Sequence, residues 1–243
     1  MRGIRGGILT TRYPSGGDEM PQAYRGAIEA LPADVDVQRR AAAACLSGAI
    51  IPSEGRAVID PTRCFQCGEC ARAFPEAFQT TSTFELALTG GDPHSIQERL
   101  AKRVRTLGRS IHLRHVDAGS DGSEEQELAA IFNPYYDANR LGIFLTATPR
   151  HADVLVVTGA VTQSMREPLL RTFDAMPNPK VVIALGTTAC SGGIFAAAGG
   201  APVPVRAVLD VDVMIPGAPP APLSILHGLW VALGRSDARG TFL

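Results

Sequence analysis

Val154-Leu-Val-Val-Thr158, a helical stretch from Ser164 to Met176, and Val181-Val-Ile-Ala-Leu185 decide the fold. Each outer run is five residues long, apolar and rich in β-branched side chains, too short for a stable helix but suited to a strand buried on both faces. A helix between two such runs is the signature of a parallel crossover, and hence of an α/β sheet with helices packed on both sides. The pattern extends upstream. Ile111 to Val116 is a short strand candidate and Glu124 to Phe132 is helical. No internal repeat is visible in this half.

With 243 residues, 45% of them hydrophobic, the chain can bury one large domain or two small ones. Charged residues make up 19% and the net charge is -1, so no strong field draws it to nucleic acid or to an anionic membrane. The N-terminus has no apolar run of signal-peptide length, and the longest uncharged stretch, Val181 to Val205, is broken by glycines and prolines. The expectation is a soluble, cytoplasmic protein. Five cysteines without a secretion signal favour metal or redox chemistry over a disulfide framework.

Residues 1–30 mix Gly, Pro, Arg and Tyr without periodicity and read as an irregular arm. Residues 31–90 hold all cysteines but one, with Pro52, Gly55, Pro61 and Pro75 marking short turns, the composition of a small cluster-stapled module. Ile96, Leu100, Val104 and Leu107 stand at helical spacing and predict a linker helix within 91–108. Residues 109–243 form the α/β domain.

Cys64, Cys67 and Cys70 stand as C-x2-C-x2-C, a spacing that aims three thiolates at one iron-sulfur cubane. In bacterial ferredoxin runs a fourth cysteine, before a proline, serves the other cluster of the pair. Here that position is Phe74, followed by Pro75. The missing ligand is expected upstream, at Cys45 in Ala44-Cys-Leu-Ser-Gly-Ala-Ile50, which resembles the end of a partner ferredoxin motif. Counting back from Cys45 places that motif's other ligands at Val35, Gln38 and Ala41, none of them a thiol. One cluster's positions (35, 38, 41, 74) are therefore all replaced, and the other's (45, 64, 67, 70) are all cysteine. One 4Fe-4S cluster on Cys45, Cys64, Cys67 and Cys70 is expected. A four-thiolate zinc site and leftover buried thiols are the alternatives.

Ile111-His-Leu-Arg-His-Val-Asp-Ala-Gly-Ser120, Asn133-Pro-Tyr-Tyr-Asp137, Thr148 to Gly159, Met176-Pro-Asn-Pro-Lys180, Ser191-Gly-Gly193 and Pro216-Gly-Ala-Pro-Pro220 occur in an order that resembles one family. It is the small subunit of energy-converting nickel-iron hydrogenases and formate hydrogenlyases, related to the B subunit of respiratory complex I. The resemblance covers nearly all of residues 110–228. It implies a flavodoxin-like fold and a partner, the large subunit of hydrogenase or its counterpart in complex I. It further implies membrane subunits of the same assembly, and a peripheral location on the inner face of the cell membrane through those partners.

The family's proximal cluster is held by cysteines at positions that here read Asp121, Glu124, Thr188 and Ala218. Asp121 and Glu124 are expected to be solvated loop residues and Cys190 to pack against the sheet. His112 and His115, three apart on a strand, should face opposite ways and share no metal. No nucleotide-binding glycine motif accompanies Gly119, Gly159 or Gly186.

These readings lead to an iron-sulfur electron-transfer subunit, without catalysis of its own, in a hydrogenase-like or complex I-like oxidoreductase assembly. The alternatives are a structural scaffold whose cluster only staples the N-terminal module, and a vacated crevice that binds a small molecule. A whole domain is expected to separate the N-terminal cluster from the face where the large subunit docks. A hydrogenase partner would then be electrically isolated, and its large subunit should lack nickel-iron cysteines or do other chemistry.

Overall fold

The computed structural model describes residues 10–16, 20–90, 98, 110–198, 202–236 and 239–242. The predicted linker helix lies outside the described residues apart from Glu98.

The strands are β1 (Ile28–Ala30), β2 (Ile50–Ile51), β3 (Val58–Ile59), β4 (Phe78–Thr80), β5 (Leu88–Gly90), β6 (Ile111–Asp117), β7 (Ile143–Leu145), β8 (Val154–Thr158), β9 (Val181–Leu185), β10 (Val213–Ile215) and β11 (Gly240–Phe242). The α-helices are α1 (Val35–Ala44), α2 (Glu69–Ala73), α3 (Ser123–Ala130), α4 (Gln163–Ala175), α5 (Thr187–Ser191) and α6 (Pro222–Ala232).

One sheet runs in the order β11-β5-β10-β9-β8-β6-β7. From β7 to β10 every neighbour is parallel. Counted from β6, the five parallel strands follow the order 2-1-3-4-5, the flavodoxin-like arrangement. The sheet continues past β10 through antiparallel β5 and then β11, so residues 88–90 pair here and not within the cysteine module.

β8 and β9 are buried throughout, as their unbroken apolar runs require. Their side chains alternate between two cores. Val156, Ile183 and Leu185 join Leu226 and Leu229 of α6 on one face. Leu155, Val157, Val182 and Ala184 join Leu169 of α4 and Cys190 of α5 on the other. α6 is buried along its whole length, and it approaches the sheet so closely that a methyl group at Gly228 would overlap Ile215. Thr162 starts α4, its hydroxyl accepting from the Met165 amide at 3.3 Å.

The N-terminal module is built on a much smaller core of Ile28, Ala41, Ile50, Ala57, Ala77 and Phe78. β1 pairs antiparallel with β4, and β2 with β3. The N-terminal arm lies on its own chain: the Thr11 amide donates to Tyr135 O at 2.8 Å, and Tyr13 is buried in the core beside α6, edge-on to Phe84 at 5.5 Å.

Candidate functional site: the cysteine cavity and the crevice beside it

Cys45 ends α1, where the chain turns extended and the Sγ comes within 3.5 Å of Ser47 Oγ. The second cysteine segment is prepared by Asp60, whose Oδ1 accepts from the amide and the hydroxyl of Thr62 at 2.9 and 2.7 Å. Gln66 and Gly68 both adopt positive φ, 58° and 77°. These two left-handed residues fold the segment tightly enough to turn Cys64, Cys67 and Cys70 towards one side. The Gln66 amide donates to Cys64 Sγ at 3.4 Å, and Arg25 Nη1 ties down the Cys67 carbonyl at 2.5 Å.

All four thiols line a single cavity of about 420 Å³, whose remaining wall includes Ile28, Ala41, Ile50, Phe65 and Phe74. Burial, with smaller contributions from the other three cysteines, pushes the Cys64 thiol up to about 11. Burial also raises Cys70. At Cys45 burial acts in the same direction but is outweighed by hydrogen bonds from Ser47 and from the backbone at 47, 49 and 50, which hold the thiol below its ordinary value. Among the described residues no three His, Cys, Asp or Glu side chains form a group that could hold a metal ion. The four cysteines nevertheless share the wall of one cavity. By donor chemistry, four cysteines on one cavity are the kind of set that iron-sulfur clusters take.

Of the positions assigned to a lost second cluster, 38, 41 and 74 are packed and Val35 is exposed. Gln38 and Ala41 of α1 are each about 1% exposed. The Gln38 amide group donates to Ala33 O and accepts from the Ser53 N–H, both at 2.9 Å, and Phe74 packs on the module's core with Arg40 above its ring.

The second site is the crevice at the carboxyl ends of β6, β9 and β10, where a doubly wound sheet presents its ligand-binding loops. Two of the four expected positions meet there: Thr188 Oγ1 donates to Glu124 Oε1 at 3.1 Å. Glu124 is about 3% exposed, which corrects the expectation of a solvated loop acid. Its carboxyl lies against the backbone of Gly186, where any Cβ would overlap it and where φ is 93°. Burial raises the Glu124 pKa above the ordinary carboxyl value. Asp121 is exposed and accepts from the amide and the hydroxyl of Ser123 at 3.0 and 2.6 Å. Ala218 is also exposed. Cys190 is buried against the sheet as expected, its Sγ facing Ala184 O.

The histidines face opposite ways. His112 stacks on Phe144, while His115 Nε2 lies 2.9 Å from Thr158 Oγ1 and 3.4 Å from Glu125, which also accepts from the Ser120 and Thr158 hydroxyls.

The cysteine loop and the crevice are in direct contact. Thr187 Oγ1 donates to the Cys64 carbonyl at 3.1 Å and accepts from the Gly217 amide at 3.0 Å. A Cβ at Gly193 would come 3.5 Å from the Phe65 ring. The N-terminal cysteine segment therefore lies directly beside the crevice. Sequence reading missed Thr187, because an ordinary threonine beside an expected ligand position carries no local mark of a partner 123 residues away.

Topology and motif order together define an α/β domain of the hydrogenase small-subunit type. Residues 122–232 match the family described as NADH ubiquinone oxidoreductase, 20 Kd subunit. A probable membrane-bound hydrogenase subunit of Pyrococcus furiosus is 39% identical over 140 residues, covering 58% of this chain and 84% of that protein. Formate hydrogenlyase subunit 7 of Escherichia coli is 41% identical over 149 residues, 60% of this chain and 57% of that one. A chain in the solved structure of an archaeal membrane-bound sulfane sulfur reductase, a respiratory membrane complex, is 26% identical with a TM-score of 0.45, covering 61% of this chain and 80% of that one. The chain belongs to this family, which joins the complex I subunit to subunits of membrane-bound hydrogenases. Among the described residues no helix is long and apolar enough to cross a membrane.

Proposed function

We propose that this chain is an iron-sulfur electron-transfer subunit of a hydrogenase-like or complex I-like oxidoreductase assembly. In this reading one 4Fe-4S cluster is held by Cys45, Cys64, Cys67 and Cys70 in a ferredoxin-like module, and the proximal site of the larger domain is lost. The observation that carries the reading is the single cavity walled by all four cysteines. Bound there, the group would supply one-electron chemistry. The chain's own part is to exclude water with Ile28, Ile50 and Phe74, to aim the thiols through the turn at Gln66 and Gly68, and to donate backbone N–H groups to sulfur. Such hydrogen bonds and burial are the levers that set a cluster's potential.

The partners in this reading are a large subunit of the hydrogenase type or its complex I counterpart and, through it, membrane subunits of the same complex. The location is cytoplasmic and peripheral at the membrane. A partner on the crevice would lie beside the cysteine loop, so electrical isolation of a large subunit no longer follows. The companion's nickel-iron cysteines and a hydrogen-uptake assay on the purified assembly decide whether it handles hydrogen.

The scaffold reading is favoured by one observation, the six-residue core of the module, which is small enough to need a staple. Anaerobic reconstitution followed by iron analysis and redox titration separates the two readings. A cluster that cycles reversibly supports electron transfer. A cluster that is destroyed on reduction supports the scaffold.

A further inference from the structure

The crevice of the larger domain has lost its thiols without becoming an open cleft. Glu124 and Thr188 hydrogen-bond across it, and Gly186 leaves the space in which the buried carboxyl fits. Beside that pair, the segment carrying Cys64 rests on α5. Thr187 Oγ1 bridges two loops at once, donating to the Cys64 carbonyl and accepting from the Gly217 amide, next to Ala218. Phe65 closes the contact over Gly193 and so neighbours Thr188. Thr187 is fully buried, so if the Cys64 carbonyl moves away a buried hydroxyl loses the acceptor of its hydrogen.

We propose that α5, beside the closed crevice, serves as a docking cradle for the Cys64–Phe65 start of the cysteine loop, with Thr187 as the positioning residue that holds this loop on the α/β domain. The inference rests on the reading that these cysteines carry the cluster, and it goes further by assigning the larger domain a role in setting the environment of that cluster. A hydrogen bond accepted by the Cys64 carbonyl polarises the peptide whose α-carbon bears a ligand thiolate. Its loss should alter the cluster's potential and its spectrum as well as loop stability.

The test uses the full-length chain, reconstituted anaerobically with iron and sulfide, and compares Thr187→Val and Thr187→Ser with the wild type. Losing one buried hydrogen bond corresponds to roughly fivefold in an opening equilibrium. Thr187→Val should therefore lose iron to a chelator about fivefold faster, with a shifted midpoint potential and altered EPR g-values, while Thr187→Ser restores all three. Wild-type potential, spectrum and iron retention in Thr187→Val would overturn the cradle. If Thr187→Val does not fold, Phe65→Ala removes the other half of the contact and must show the same shift. If the wild type takes up no iron, the cluster reading fails separately. The cradle is then judged on the iron-free chain by hydrogen exchange at residues 61–70, where Thr187→Val must speed exchange about fivefold and an unchanged rate refutes it.

Discussion

In the cysteine module four thiols face a shared cavity, whereas in the crevice of the larger domain the equivalent space is taken by a carboxyl and a hydroxyl bonded to each other. The module keeps polar groups without protein partners sufficient to neutralise them as thiolates. Burial and, to a smaller extent, the neighbouring cysteines raise Cys64 and Cys70, so these two thiols are held neutral until something takes their protons. The crevice shows no such imbalance. Glu124 accepts from Thr188, and exposed Asp121 takes the amide and the hydroxyl of Ser123 in its own loop. Under the proposed reading, hydrogen bonds that close on themselves mark the site that has lost its cluster, and four cysteines around one space mark the site that keeps one.

The sharpest way to break this comparison is iron analysis. About four irons per chain and one cluster signal are expected, since one complete set of four cysteines exists. Cys45→Ser should lose the cluster as fully as Cys67→Ser, although it lies outside the tight motif. Eight irons, zinc alone, or an unchanged spectrum in the Cys45 variant would each show that the contrast between the two regions is misdrawn.

The next effect tests whether the crevice is closed. Glu124→Ala removes a buried carboxyl, strands the Thr188 hydroxyl and leaves a void beside Gly186, so it should cost about 2 kcal/mol. Urea unfolding measures this, and a cost near zero would mean that the crevice is open and solvated.

A smaller effect follows from the raised pKa of the same residue. Because the Glu124 carboxyl titrates higher in the folded chain than its ordinary 4.5, the folded state binds the proton more tightly. Its contribution to stability is fully present below about pH 4.5 and is lost as pH rises through the folded pKa. Glu124→Gln keeps the shape without the charge, so the variant should gain on the wild type as pH rises from 4.5 towards neutrality. Parallel stability profiles would place the carboxyl in water.

β8 and β9 were legible to the residue, because a strand buried on both faces writes its limits as an unbroken apolar run. Short edge elements were not. Leu88-Thr-Gly90 has no strand pattern of its own and becomes β5 only by pairing with β10 from the far end of the chain. The spacing of Cys64, Cys67 and Cys70 could be read directly, and with Cys45 they line one cavity. The burial of Glu124 was not legible. An acid in the first turn of a helix is ordinarily exposed, and the groups that cover it, Gly186 and Thr188, lie some sixty residues away. The same distance effect hid the bond from Thr187 to Cys64.

The smallest expected effect sets the scale for the others. Asp121 and Glu124, three residues apart, are both positions that the proposed reading assigns to the lost site, and they differ chiefly in burial. Asp121 is exposed, and its two bonds to Ser123 form an Asx turn ahead of α3, where the amide and hydroxyl of Ser123 can turn to water once the carboxylate is gone. Removing it in Asp121→Ala forfeits a local bond and a favourable charge at a helix start, together about 0.5 kcal/mol. It should leave no pH-dependent difference above pH 5, because hydrogen bonds from Ser123 hold its carboxyl below the ordinary range and it is already ionised there. Urea unfolding of both alanine variants at pH 7 gives the ratio directly. A cost for Asp121→Ala equal to that of Glu124→Ala would mean that the two positions still act as one site, and the picture of a crevice closed by Glu124 and Thr188 alone would have to be given up.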